Sequence, residues 1–218
     1  MGLRRAAPPL PAVVVSYAES GTHRAQSTHM AKPTLIIVTG LPCTGKSSLA
    51  RKLAGRLGLP VFAKDLIKEA LFDTLGWGNR AWSRRLGVTS TAVLFALVES
   101  ELAAGRSCIA ESNFHPEHDT ARLRAIQQRT PVAVAQVLCV TDGQVLVERH
   151  RARARSGRRH PGHMERQLVE ELRPLLLRGR LDPLDVDSVL IEVDTTDFAQ
   201  VDDAALAARL AELLRGAQ

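Results

Sequence analysis

Cysteine is scarce in this chain: Cys43, Cys108 and Cys139 are the three in 218 residues. So few thiols, so widely scattered, exclude a disulfide framework and a cysteine-based zinc site, and they fit a reducing cytoplasm. Aromatic residues make up only 4%, which argues against the stacking platforms that hold single-stranded bases. No run approaches the about 18 apolar residues of a membrane span, so no membrane association is expected. Repeats and coiled-coil heptads are missing too, and no second domain is required. Acidic charge is in deficit, with 29 Lys and Arg against 23 Asp and Glu and a net charge of +6. Such an excess favours polyanionic partners, but much of it is concentrated in one stretch between Arg149 and Arg159 and is weighed there. With 45% hydrophobic residues, the chain can bury one full core.

The first 32 residues read differently from the rest. They hold Pro8, Pro9 and Pro11, a short Val13-Val14-Val15 run and an aperiodic polar stretch from Glu19 to His29. This composition predicts a disordered tail over 1–32 followed by one domain over 33–218. Arg4 and Arg5 before a proline-broken apolar patch make a poor secretion signal, so a cytosolic tail is expected. Met30 is a second candidate start.

The densest chemical signal is Gly40-Leu41-Pro42-Cys43-Thr44-Gly45-Lys46-Ser47. It fits the phosphate-loop pattern G-x-x-x-x-G-K-[ST] and follows the apolar run Leu35-Ile36-Ile37-Val38. Gly40 and Gly45 free the backbone so that successive amides, including those of Cys43, Thr44 and Ser48, can point into one anion-sized concavity. Lys46 supplies a point charge for the β- and γ-phosphates, Ser47 a hydroxyl for Mg²⁺, and the helix that begins here turns its positive end to the anion. ATP and Mg²⁺ are therefore the expected cofactors.

Downstream, short apolar runs at Leu35–Thr39, Val61–Ala63, Ser107–Ala110, Val132–Val140 and Val189–Val193 alternate with helical patterns near 46–57, 65–75, 85–104, 117–129, 142–155, 164–178 and 201–215. Strands that are apolar throughout are parallel strands covered on both faces. The expected fold is α/β: a P-loop NTPase-type, doubly wound, parallel five-stranded sheet. Sheets of this kind bind ligands beyond the carboxyl ends of their strands.

The residues at those ends are the candidate site. Asp65 follows the second strand, where a carboxylate can take the proton of an acceptor hydroxyl and align it for in-line attack on the γ-phosphate; Asp is also a favoured helix cap. Lys68, one turn on, is a candidate acceptor contact or an ion-pair partner of Asp65. Glu111 follows the third strand and is placed to support Mg²⁺ or its water shell. Asn113 suits either a substrate hydroxyl or a helix cap. His115 and His118 are three apart without a third ligand and read as loop and first-turn histidines. Trp77, in an expected mobile loop Gly76–Trp82, suits either stacking on an acceptor or anchoring the loop.

After the fourth strand comes the arginine-rich stretch 149–163. On a helix Arg151 and Arg155 share one face and Arg149 and Arg153 the next, until Gly157 and Pro161-Gly162 break the pattern. This predicts a helix, a hinge and a loop, hence a lid over about 149–163. Six close arginines demand an anion, and the nearest is the triphosphate, with nucleic acid its rival.

Taken together, the loop, Asp65, Glu111-Ser112-Asn113-Phe114, the arginine lid and Val193-Asp194-Thr195-Thr196 resemble the P-loop kinases of the AAA_33 and zeta-toxin-like type, a family that includes bacteriophage polynucleotide kinase and chloramphenicol phosphotransferase. The resemblance covers roughly Lys32 to Gln218. It implies Mg-ATP-dependent phosphorylation of a hydroxyl, with Lys46 and Ser47 on ATP and Mg²⁺ and Asp65 as base. It further implies a transition-state arginine among Arg149, Arg151, Arg153 and Arg155, and Thr195 beside the adenine. The chain has Glu111 and Lys68 where the polynucleotide kinase branch has Asp and Arg. A small-molecule hydroxyl is therefore the expected acceptor, with a polynucleotide 5′-hydroxyl kinase and a nucleotide-dependent switch as the alternatives.

Overall fold

A computed structural model describes residues 32–216; the expected disordered tail, apart from Lys32, and the question of Met30 lie outside them. Five strands form one parallel sheet: β1 (Thr34–Gly40), β2 (Val61–Ala63), β3 (Cys108–Glu111), β4 (Ala133–Val140) and β5 (Val189–Asp194), in the order β2-β3-β1-β4-β5. Between and after them run α1 (Lys46–Leu57), α2 (Lys64–Leu75), α3 (Arg80–Ala103), α4 (Pro116–Arg129), α5 (Gly143–Ser156), α6 (Glu165–Leu177) and α7 (Asp203–Gly216). The doubly wound five-stranded architecture read from the sequence is the one observed.

The central strand shows why the apolar runs are continuous. Leu35 and Ile37 face one layer, packed with Leu94, Phe95, Val98 and Leu102 of α3 and Leu123 and Ile126 of α4. Ile36 and Val38 face the other, with Leu49 and Leu53 of α1 and Leu206 and Leu210 of α7. Alternate residues thus enter opposite cores. A third cluster, Leu41, Leu138, Leu146, Val147, Leu176 and Leu181, seats α5 and α6 beyond the carboxyl end of β4.

Two expectations are corrected. The loop expected over Gly76–Trp82 is only four residues long, because Asn79 caps α3: its side chain accepts the Trp82 amide at 2.9 Å, which starts the helix at Arg80 rather than near 85. Trp82 is therefore helical, and its indole N–H donates to the Gly76 carbonyl at 2.9 Å. Likewise α3 is, by length and composition, apolar enough to cross a bilayer, contrary to the sequence expectation. Its Leu86, Leu94, Phe95, Val98 and Leu102 are buried in this domain.

Register brings the functional ends together. Val38 of β1 and Ala63 of β2 both pair with Glu111 of β3, so the residues that follow each strand leave the sheet at one level. The Phe114 amide donates to Thr39 Oγ1 at 3.1 Å, which ties the turn after β3 to the root of the phosphate loop.

Because Leu53 is fully buried in the core between α1, α7 and the sheet, Leu53→Ala is expected to cost about 2–5 kcal/mol. Urea unfolding followed by circular dichroism checks this, with a lower midpoint at unchanged slope as the expected result.

Candidate functional site

The phosphate loop is held from within. Gly40 has φ +148°, and a β-carbon there would lie 2.6 Å from the Cys139 carbonyl, so close approach to β4 requires glycine. Gly45 has φ +83°, and its β-carbon would lie 2.6 Å from the Phe198 ring. Cys43 also takes a left-handed conformation, φ +71°, a strained backbone for a non-glycine residue. Thr44 is buried and its hydroxyl donates to the Leu41 carbonyl at 3.0 Å, closing the loop on itself. The Lys46 ammonium, 6% exposed, donates to the same carbonyl at 3.3 Å. Burial lowers the pKa of Lys46, against the pull of Glu111 and Asp65.

Several cavities that share lining residues lie around this loop. One of about 300 Å³ is lined by Cys43, Gly45, Lys46, Ser47 and Ser48 below and by Arg149, Arg153 and Arg159 above. A second, about 190 Å³, joins Lys46 and Ser47 to Lys64, Asp65, Lys68, Asn113, His150 and His163. A third, about 210 Å³, holds Ser47, Asp65, Glu111 and Arg159. The structure therefore gathers the expected Lys46, Ser47, Ser48, Asp65, Lys68, Glu111, Asn113, Arg149 and Arg153 at one rim. Gly40 and Thr44 shape the loop from beneath.

Three expected residues sit elsewhere. Arg155 is exposed and lines none of these cavities, because the face of α5 that carries Arg149 and Arg153 turns it outward. Thr195 is fully buried, its hydroxyl 2.6 Å from that of Thr141 and donating to the Val140 carbonyl at 2.9 Å. Its contribution is its carbonyl: Arg149 donates to Thr195 O at 2.9 Å and to Thr196 O at 2.8 Å, so the turn after β5 fixes the arginine over the loop. Trp77 is 54% exposed and lines a different, larger cavity of about 430 Å³ on the outer side of the lid, edge-on to His160. His115 and His118 stand at the start of α4, and no group of three or more His, Cys, Asp or Glu side chains suited to a metal occurs among the described residues.

Sequence reasoning passed over Arg159 and Glu165. Arg159 lies after the Gly157 break, where helical spacing no longer says which way a side chain points, and Glu165 lies beyond the turn Pro161–His163. The fold returns both to the loop. Arg159 pairs with Asp65 through a hydrogen-bonded ion pair and lies 3.6 Å from Glu69 and 3.9 Å from Glu165. Its buried Nε has no hydrogen-bond partner. Arg153 is held by Glu165, with Nε donating at 3.1 Å. The lid is further latched to α2 by His163 on Glu69 at 2.8 Å, His160 on Asp73 at 3.2 Å and a stack of His160 on Phe72.

The charges shape each other. Burial alone would raise the Asp65 carboxyl, but Arg159, with Lys64, Lys46 and His163, outweighs it and holds the group well below the usual carboxylate range. Glu111 is 2% exposed, and burial raises its pKa although Lys46 stands beside it. Burial, with Arg159 close by, pushes His163 down to about 3, so its imidazole is neutral at physiological pH.

A parallel sheet with a phosphate loop after its first strand and a basic lid across it defines a P-loop nucleotide-binding protein. The AAA domain family AAA_33 matches residues 35–174. A protein from Chloroflexus aurantiacus J-10-fl, provisionally described as a kinase, is 41% identical over 83% of this chain and 98% of its own, with a TM-score of 0.75. The APS kinase CysC of Mycobacterium tuberculosis, solved with AMPPNP and APS, shares the fold at a TM-score of 0.50 and 17% identity, over 84% of this chain and 98% of its own. No curated protein matches. The chain belongs to the AAA_33 family and has the fold of P-loop kinases.

The Arg159–Asp65 pair gives a measurable consequence. A depressed folded-state pKa stabilises the fold above the ordinary carboxylate value of about 3.9 and loses that contribution as pH falls through it. Arg159→Ala is expected to raise the Asp65 pKa and to flatten the acid side of the stability curve; carboxyl-carbon NMR titration and unfolding at a series of pH values from neutral down to acid check both.

Proposed function

We propose that this protein transfers the γ-phosphoryl group of Mg-ATP to a hydroxyl of a small molecule. The observation that carries this reading is Asp65, set across a cavity of about 190 Å³ from Lys46 and Ser47, with Asn113 in the same wall. A cavity this small, roofed by the lid, supports a small acceptor over a polynucleotide.

Ser47 and Glu111 fit a magnesium ion. Both present oxygen, Glu111 is a buried carboxylate next to the Ser47 hydroxyl, and Mg²⁺ needs only one or two protein groups besides water and phosphates. When bound, the ion would neutralise charge on the β- and γ-phosphates.

This chain's own groups do the rest. Loop amides and Lys46 hold the phosphates, while Arg149 and Arg153 bear on them from the lid. Asp65 Oδ2 orients the acceptor hydroxyl and takes its proton as the acceptor oxygen bonds to the γ-phosphorus. The bond from that phosphorus to the β–γ bridging oxygen breaks, and ADP leaves with the electron pair. Arg159 is shared. On Asp65 it suppresses the base, and when drawn to the γ-phosphate it releases Asp65 and meets the charge of the transition state. Arg159 lines the cavity over the phosphate loop together with Arg149 and Arg153, which supports this second station.

Transfer from labelled ATP to a panel of nucleosides, sugars, hydroxy acids, antibiotics and a 5′-hydroxyl oligonucleotide tests the reading. Asp65→Asn is expected to lower transfer about 10²- to 10⁴-fold while ATP binding is kept. Label on the oligonucleotide would make the protein a polynucleotide kinase. ATP binding with no acceptor labelled, and no effect of Asp65→Asn on hydrolysis, would favour a nucleotide-dependent switch.

A further inference from the structure

The helix α3 keeps an apolar side that the domain does not cover. From Leu86 to Val98 it carries no charged residue, yet only 33% of the stretch that makes it apolar enough to cross a bilayer is buried inside the domain. Val88, at 72%, is the most exposed large hydrophobic residue among those described, and Ala92, Val93, Ala96 and Leu97 are exposed along the same helix. An open apolar face of this kind on a folded domain marks a contact surface.

The side chains at the centre of the face suit another helix. Ala92 and Ala96 are small, so a second backbone can come as close as the about 8–10 Å between the axes of packed helices. A lipid surface is met instead by large aliphatic and aromatic side chains that sink among the acyl chains. Nor can α3 leave the domain to enter a bilayer, since Leu86, Leu94, Phe95, Val98 and Leu102 on its other side are core residues.

The order of residues identifies which helix. The outward positions Ala81, Arg85, Val88, Ala92, Ala96, Glu99 and Ala103 follow one another at steps of four, three, four, four, three and four. All are exposed except Glu99, which is partly so. The mean step of about 3.7 residues is close to the helical repeat, so the line stays on one side of a helix about 36 Å long. The steps are the same read from either end, with Ala92 at the midpoint. A second copy of α3 laid antiparallel about a two-fold axis at Ala92 therefore sets Ala92 on Ala92, Val88 on Ala96 and Arg85 on Glu99, each heterotypic contact occurring twice. Parallel packing would put Arg85 on Arg85.

The charges agree with the antiparallel arrangement. Arg85 stands over the Trp82 ring at 5.6 Å and takes part in no ion pair among the described residues. Glu99 receives Arg129 at 3.1 Å and faces Arg122 at 3.8 Å, both from α4 of its own chain. Its two carboxylate oxygens have acceptor capacity left for a further donor.

We infer that α3 is the interface of a homodimer, packed antiparallel on its own copy with Ala92 on the two-fold axis and reciprocal Arg85 to Glu99 pairs towards its ends. One helix face makes a small interface, so association in the micromolar range is expected. None of the three cavities around the phosphate loop is lined by α3, so the dimer and the kinase reading stand or fall separately.

Sedimentation equilibrium of the full-length protein over about 1–200 µM tests this, with the wild type expected to pass from monomer to dimer. Val88→Glu puts two like charges into the apolar centre, and Arg85→Glu sets a carboxylate against Glu99 of the second copy. Each is expected to weaken association at least about 10-fold, with circular dichroism and thermal midpoint unchanged. Disulfide trapping reads the register. Ala92→Cys meets itself across the axis and is expected to cross-link on mild oxidation, whereas Ala103→Cys, opposite Ala81, and the wild type with its three native thiols are expected not to. Flotation with vesicles of phosphatidylcholine and phosphatidylglycerol is run alongside. A monomer throughout the range without an Ala92→Cys cross-link overturns the inference, and so does a dimer that neither charge variant weakens. Cross-linking of Ala103→Cys as efficient as that of Ala92→Cys means parallel helices and overturns the two-fold at Ala92. Vesicle binding by a monomer, lost in Val88→Glu, overturns the dimer in favour of a lipid surface.

Discussion

The guanidinium of Arg159, set among Asp65, Glu69 and Glu165, is the interaction on which the site depends. Each of the three cavities around the phosphate loop has Arg159 in its wall, and so has the larger one outside the lid. The residue reaches this place because α5 ends at Gly157 and the chain folds back through the turn Pro161–His163 before α6 begins. Without that return the lid would be a solvated basic helix. With it, the lid is cross-linked to α2, the helix that carries Lys64, Asp65 and Lys68.

A single cation between three carboxylates is adjustable in a way that an apolar contact is not. The group is about a quarter exposed, so its pairs are screened and its net contribution to stability is small. Its effect on charge is larger: it holds Asp65 ionised and weakly basic, and it presents a buried N–H with no acceptor. A triphosphate competes with the carboxylates for the same fork of donors, and phosphate and carboxylate suit that fork equally well in geometry. On the proposed kinase reading, nucleotide binding and release of Asp65 are linked through this one side chain.

How much of this was legible in the sequence follows the range of each signal. The phosphate loop was readable because its glycines, lysine and serine are local and the strand before it is a continuous apolar run. Asp65 and Glu111 were readable because each stands at or just beyond the end of a strand, and parallel pairing in register brings strand ends to one level. Arg149 and Arg153 followed from helical periodicity, as did the error over Arg155: spacing alone cannot say which of two adjacent faces of α5 meets the sheet. Arg159 and Glu165 were out of reach because their directions depend on a turn, and periodicity carries nothing across a turn. Thr195, expected beside the adenine, shows another limit: it is fully buried, and its carbonyl holds Arg149.

The charges of α2 follow from the same division of labour. Lys64, Asp65 and Lys68 share the first turns of α2 and line one cavity, with Lys68 also lying against Gly87 of α3. Asp65 finds Arg159 from the lid, and His163 and Glu69 satisfy each other. No acidic side chain of the lid reaches Lys64 or Lys68, because Glu165 is committed to Arg153 and lies within 3.9 Å of Arg159. Asp65 is the carboxylate whose charge reaches both lysines, and Arg159 already holds it.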